Sequence, residues 1–317
     1  MSPSVIAGIV AGLSLCVCAA PALAGDGMEN MTVADMARWA KDHTAVIVSV
    51  LGLVSVLILW RLRCLGPGGL NAGERDVKPI PVAMWLFCGI ATLLGFYLGG
   101  QVGYEIVGPI EGEGTPRDQA IMTILAAGVG SLLGAGLLWF VHRQAPESGT
   151  KPDWVDIPLA LGLFVVIYPL LALSGIVGHW IARGLDTVPQ DRIAHSTLRL
   201  IAENMGDEWN WALIAAIVVL VPIVEELIYR VFIQSAFLRI VRSRWIAVFL
   251  TSFVFVLAHW GVLPEGGKHA LAPLFVLSVA LGAAYERTGR LGVPMVMHAA
   301  FNTLNIVLAF VIDPLAE

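Results

Sequence analysis

Long apolar stretches separated by short polar links run the length of the chain. They cover residues 44–62, 81–100, 119–141, 156–182, 209–238, 245–262, 271–286 and 291–312. A helix needs roughly 20 apolar residues to cross a bilayer. The pattern therefore predicts an all-α polytopic membrane protein with about eight transmembrane helices. The 209–238 stretch is longer than the hydrocarbon requires and contains Pro222, so it is expected to tilt, kink or project into water. The 271–286 stretch is short and has Pro273 near its start.

A further apolar run, residues 4–24, ends in Ala22-Leu23-Ala24 and gives way to the polar Gly25-Asp26-Gly27. Its small-x-small ending is that of a signal peptide, residues 1–24, cleaved after Ala24. The lack of Lys or Arg before it keeps an uncleaved first helix as the alternative. Of the four cysteines, Cys16 and Cys18 fall in this run. Cys64 and Cys88 fall at or inside predicted helices and are read as packing residues, with no disulfide framework.

Composition agrees with the pattern. The chain is 57% hydrophobic and 14% charged, with mean hydropathy +0.80, against about 25% charged residues in soluble domains. A net charge of −5 offers no basic patch for nucleic acid. The Lys and Arg residues sort by loop, eleven on one side and seven on the other. The positive-inside rule then puts the shorter, more basic loops inside and the tail Asp313–Glu317 outside. The helices of residues 25–150 carry no charged motif, and every intramembrane one falls in 156–312. Residues 25–150 are thus read as an accessory region with about three transmembrane helices, and 151–317 as the working domain.

Ionisable groups in apolar stretches are costly and mark function by default. Three clusters stand out: Glu225, Glu226 and Arg230 in EELIYR, His259 in FVLAH, and His298 with Asn302 in HAAFN. Adjacent helical residues point about 100° apart, so Glu225 and Glu226 must do different work. Glu226 and Arg230 share a face at the favourable i,i+4 spacing for an ion pair. Glu225 is left to face the bundle interior, where a carboxylate suits a general base. Each cluster also has a structural reading. The Glu-Arg pair would be a buried lock, His259 a satisfied helix-end residue, and His298 and Asn302 hydrogen-bonding glue between helices. The other histidines, His43, His142, His179, His195 and His269, are read as solvated or interfacial. Three polar clusters on three of the last four helices favour a site over three separate accidents.

The order Glu-Glu-x-x-x-Arg, Phe-x-x-x-His and His-x-x-x-Asn, each on its own apolar helix, resembles the CPBP (Abi/CAAX) intramembrane protease family. The motifs are Glu225–Arg230, Phe255–His259 and His298–Asn302, and the resemblance covers about residues 155–312. It implies an endopeptidase in which Glu225 activates water with help from His259. His298 and Asn302 would stabilise the oxyanion, and Glu226 and Arg230 would hold the first motif in shape. The family is often called metalloproteases, so zinc on Glu225, His259 and His298 stays open, although no His-Glu-x-x-His helix is present. No metal is assigned.

The expected partners are the lipid bilayer and a membrane-associated protein or peptide substrate, with no nucleic acid. The expected location is the cell membrane, multi-pass, as in a bacterial inner membrane. Two alternatives belong to other classes. A proton-coupled transporter would also use mid-bilayer Glu, His and Arg, but no inverted repeat is visible. A non-catalytic membrane scaffold of the same fold would have no need of the whole polar set.

Overall fold

The computed structural model describes residues 33–66, 68–71, 75, 77, 80–110, 112, 114–144, 150, 153–183, 196–263 and 265–312. The signal-peptide reading of residues 1–24 and the tail 313–317 lie outside the described residues. Every regular element among the described residues is helical. We number them α1 Val33–Arg61, α2 Val82–Val107, α3 Pro116–Gln144, α4 Asp156–Arg183, α5 Ser196–Glu203, α6 Glu208–Val241, α7 Arg244–His259, α8 Leu271–Thr288 and α9 Gly292–Ile312. A short 3-10 turn, Glu265–Ala270, leads into α8.

Seven of these helices are long and apolar enough to cross a membrane, among the described residues, and the eighth predicted stretch is the shorter α7. The chain is a polytopic helical membrane protein. Its outward face carries Phe87, Ile90, Leu94, Leu132 and Trp139, all exposed, as a surface wetted by lipid should. Association in lipid relies on close packing rather than on hydrophobic expulsion. On α2, Gly95, Gly99 and Gly103 recur every fourth residue, and a Cβ at Gly99 would sit 2.4 Å from the Leu125 carbonyl oxygen of α3. Only glycine allows that approach.

The accessory helices also reach the working domain directly. A Cβ at Gly130 of α3 would meet Val224 Cγ2 at 2.7 Å, so α3 rests on α6 one residue before Glu225. Trp85 and Cys88 of α2 bury against Val231, Phe232 and Ala236 of α6. Cys64 and Cys88 are free thiols.

Helix α6 is not regular. It widens into π turns at Ala216–Leu220 and again at Leu227–Ile233, with Val221–Glu226 between them. The Val221 N–H reaches back to the Ala216 carbonyl, and the Gln234 N–H to that of Tyr229. Pro222 is the cause at the first turn, because it has no N–H to give. The kink expected at Pro222 thus takes the form of a π turn, a distortion common at functional sites. It sets Glu225 and Glu226 in the short regular stretch between two wide ones.

One histidine departs from its sequence reading. His179, expected to be solvated or interfacial, is buried. Gly178 lets α4 close on the turn before α8, so that a Cβ there would lie 2.9 Å from the His269 carbonyl oxygen. The His179 and His269 rings then meet edge to face at 5.8 Å.

Candidate active site

The three clusters meet in one layer formed by α6, α7 and α9. On α6, Arg230 Nε donates to Glu226 Oε2 at 2.8 Å, and both side chains are fully buried. Arg230 Nη1 donates to Ser278 Oγ of α8 at 3.1 Å. Across the layer, His298 Nδ1 lies 2.9 Å from Glu226 Oε1. A carboxylate paired with a guanidinium accepts, so His298 Nδ1 carries the proton and Nε2 is turned the other way. That Nε2 stands 3.6 Å from Glu225 Oε2.

His259 arrives from the end of α7 with the same polarity. Its Nδ1 lies 2.8 Å from the Phe255 carbonyl oxygen. A carbonyl only accepts, so this nitrogen too is the donor. His259 Nε2 then faces Glu225 Oε1 at 3.9 Å. Glu225 therefore sits between two imidazole nitrogens, both beyond direct hydrogen-bond reach. Separations of this kind suit groups bridged through water. The Glu225 and His259 side chains keep 17% and 22% exposure, against 0% for Glu226 and Arg230.

Phe255 builds the wall of the site. Its buried ring lies 4.4 Å from that of His259, 4.9 Å from Tyr229 and 6.2 Å from His298. The Arg230 guanidinium stands 5.6 Å over the same ring. The four-residue spacing of Phe255 and His259 thus does two things: the carbonyl fixes the imidazole tautomer, and the ring shields it.

Asn302 takes a different place. Its Nδ2 donates to the Ile217 carbonyl oxygen at 2.9 Å. With Val221 bonded to Ala216 and Pro222 lacking an N–H, Ile217 has lost both of its helical donors. Asn302 supplies the missing one and pins α9 to the first π turn of α6. One amide hydrogen is used this way, and the second remains for other acceptors. Asn305, one turn on, bonds within its own helix to the Phe301 carbonyl.

Two imidazoles and a carboxylate are the right donor types for zinc, whose tetrahedral ligands stand about 3.3 Å apart. The observed separations of 3.6 and 3.9 Å are wider, and no three His, Cys, Asp or Glu side chains are grouped to hold a metal ion among the described residues. The residues as arranged do not fit the metal, and no step is routed through one.

A second polar layer lies toward the other end of the same helices, and sequence reasoning missed it. Glu286 of α8 is fully buried. Its Oε1 accepts from Arg75 Nη1 and, at 2.8 Å, from Gln234 Nε2. Its Oε2 accepts from Arg244 Nη1 at 2.6 Å. Arg75 also donates to Ser235 Oγ and stacks 4.1 Å over the Tyr285 ring. The Arg75 loop is strapped down by Trp245 on the Gly66 carbonyl, Arg287 on that of Gly69, and Arg244 on that of Arg75. A signal was present in the sequence. Glu226, Arg230 and Gln234 form a ladder at four-residue spacing, and Ser278, Gly282 and Glu286 form its partner on α8. The ladder runs one turn beyond Arg230.

The fold and this layer of Glu, His and Arg define a polytopic helical membrane protein with a buried polar site. Residues 207–304 match the family described as type II CAAX prenyl endopeptidase Rce1-like, and this segment is similar to the CAAX proteases. The match takes in α6 to α8, α9 as far as residue 304 and every residue of the layer, and leaves the helices before it outside. No curated protein and no solved structure matches the chain.

Proposed function

We propose that the protein is an intramembrane endopeptidase of the cell membrane that hydrolyses a membrane-associated protein or peptide with a water activated by Glu225. The observation that carries this reading is the position of Glu225 between two imidazole nitrogens, neither of which can donate to it in the neutral tautomer. In that setting Glu225 is a proton acceptor without a donor of its own among the described residues. A water bridging it to His259 gives up a proton to Glu225 as its oxygen attacks the scissile carbonyl carbon. The carbonyl oxygen becomes an oxyanion; of His298 and Asn302, the pair the resemblance assigns to it, Asn302 keeps a free Nδ2 hydrogen to donate, while neutral His298 lines the site. The proton held by Glu225 then passes to the leaving amine, and the peptide C–N bond breaks.

Glu226 and Arg230 position this machinery. Glu226 fixes the His298 ring through Nδ1, and Arg230 holds Glu226. Asn302 aligns α9 with α6 through Ile217, and its second amide hydrogen faces the role that the resemblance gives it, as an oxyanion donor. Residues 151–317 form the protease domain in this reading. Residues 25–150 buttress it through the Gly130 contact and the Arg75 loop.

The test is cleavage of a panel of membrane-associated reporter peptides by the detergent-purified protein, beside Glu225→Gln and with or without a strong chelator. Cleavage by wild type, lost in Glu225→Gln and unchanged by chelator, is expected. Retained cleavage in Glu225→Gln overturns the assignment. Cleavage abolished by chelator and restored by zinc overturns the metal-free route.

A further inference from the structure

Helix α6 ends and α7 begins around a single sharp turn at Arg242 and Ser243. Arg242 has φ 55° and ψ 13°, and its N–H donates to the Leu238 carbonyl. This left-handed conformation is the usual place for glycine at a helix end, and a non-glycine residue there is uncommon. Glycine would fit without strain, yet the chain puts a long cation there. Such outliers gather at functional sites, and the inference runs from the outlier to the function.

The turn borders a cavity of about 360 Å³ lined by Asn71, Val77, Leu238, Arg239, Arg242 and Arg244. Among the described residues that line it, three of six are arginines and none is acidic. Arg244 is committed to Glu286 and to the Arg75 carbonyl. Arg239 and Arg242 are exposed and make no ion pair among the described residues. The cavity is of the size that takes small ligands.

The first turn of α7 adds to the same field. Its cap residue, Ser243, makes no side-chain capping bond. A helix start left uncapped presents free N–H groups and the positive end of the helix dipole. Two unpaired guanidiniums, a third held in place and an uncapped helix start all favour an anion with several acceptor oxygens. Guanidinium binds phosphate in a bidentate fork. The loop charges put this turn on the more basic side of the chain, the side that the positive-inside rule faces toward anionic lipid.

We propose that this cavity is a binding site for a phosphate-bearing anion, supplied by an anionic phospholipid headgroup or by soluble phosphate. The site lies at the far end of α7 from His259, about 22 Å along the helix axis. It would hold the α6–α7 turn, and the strapped Arg75 loop beside it, at the membrane surface.

The test uses the full chain in neutral detergent, titrated with short-chain phosphatidylglycerol, with phosphatidylcholine of the same chains, and with inorganic phosphate. Bound ligand is counted by native mass spectrometry, and the unfolding midpoint is followed in parallel. Phosphatidylglycerol is expected to bind at least tenfold tighter than phosphatidylcholine. The pair Arg239→Gln and Arg242→Gly should lose that tenfold preference. Arg242→Gly alone removes the strained conformation, so its ligand-free midpoint should equal or exceed wild type, which separates lost binding from lost folding. Inorganic phosphate that competes at equal concentration supports the phosphate chemistry and assigns the source to the soluble ion. Phosphate that fails to compete assigns it to the lipid. Equal binding of the two lipids with no phosphate binding, or a double variant that keeps wild-type preference, overturns the proposal.

Discussion

Two layers of buried charge cross the working domain, about two turns apart along α6, and they differ in how their carboxylates are closed. In the Glu286 layer every carboxylate oxygen is taken, by Arg75, Gln234 and Arg244. In the Glu225 layer, Glu226 is closed in the same manner by Arg230 and His298. Glu225 alone keeps both oxygens outside hydrogen-bond range of the groups that face it. Both layers occupy a setting where unpaired charge is expensive. A layer whose members all satisfy one another does structural work. A layer with one carboxylate left open, beside two oriented imidazoles, is built to receive something. The contrast also shows why charge in a membrane helix is not by itself a sign of catalysis: Glu286 is buried more completely than Glu225 and has no chemistry left to offer.

That comparison can be broken from either side. The largest expected effect is on Glu225. Glu225→Gln keeps the shape and removes the base, so cleavage should fall by about 10³-fold, with the thermal unfolding midpoint unmoved. Glu286→Gln should do the reverse. It leaves Arg75 and Arg244 facing an uncharged amide, and removing one partner of a buried pair costs about 3 kcal/mol. Denaturant unfolding reads this directly, and the same loss is expected from Arg75→Gln, although Arg75 lies outside the matched family segment.

Asn302 sharpens the comparison, because it belongs to the site by resemblance and to the framework by contact. Asn302→Ala strands the Ile217 carbonyl and should cost about 1 kcal/mol of stability. Pro222→Ala restores an N–H that can reach that carbonyl, so the loss from Asn302→Ala should shrink in its presence. A double-mutant cycle with a coupling of about 1 kcal/mol supports the clamp. Lost cleavage with unchanged stability in both backgrounds would assign Asn302 to the oxyanion alone.

The smallest effect lies outside the bilayer, where Arg290 donates to Asp153 at 3.0 Å and also to Asp156. The hydrogen bond from Arg290 holds the Asp153 carboxyl below the usual carboxylate range. A lowered folded-state value stabilises above the unfolded carboxylate pKa, near 4, and that contribution is lost as pH falls through the folded value. The midpoint of Asp153→Asn should therefore show a shallower fall below pH 4 than wild type. Asp153 is exposed, so the difference will be slight.

Much of this was legible in the sequence, and the limits have physical reasons. The apolar stretches gave the helices because spanning length is set by the bilayer. The ends moved where capping rather than hydropathy decides, as at Val107 and Val241. Residues 225, 226, 230, 259 and 298 were legible as one cluster because a four-residue period within each motif puts its members on one face. What Asn302 holds was not legible, since it depends on which carbonyl Pro222 orphans. The Glu286 layer was missed because Glu286 closes the apolar stretch 271–286, and Arg287 and Arg75 read as loop cations. Burial of a loop residue depends on what folds over it, and the straps from Trp245, Arg244 and Arg287 come from far along the chain.

The most direct measurement is the cleavage rate and unfolding midpoint of Glu225→Gln and Glu286→Gln, taken on the same purified preparations as wild type with one reporter peptide. The account predicts that Glu225→Gln loses cleavage at a wild-type midpoint, while Glu286→Gln loses midpoint and keeps cleavage at temperatures where it stays folded. Wild-type cleavage by folded Glu225→Gln would contradict it.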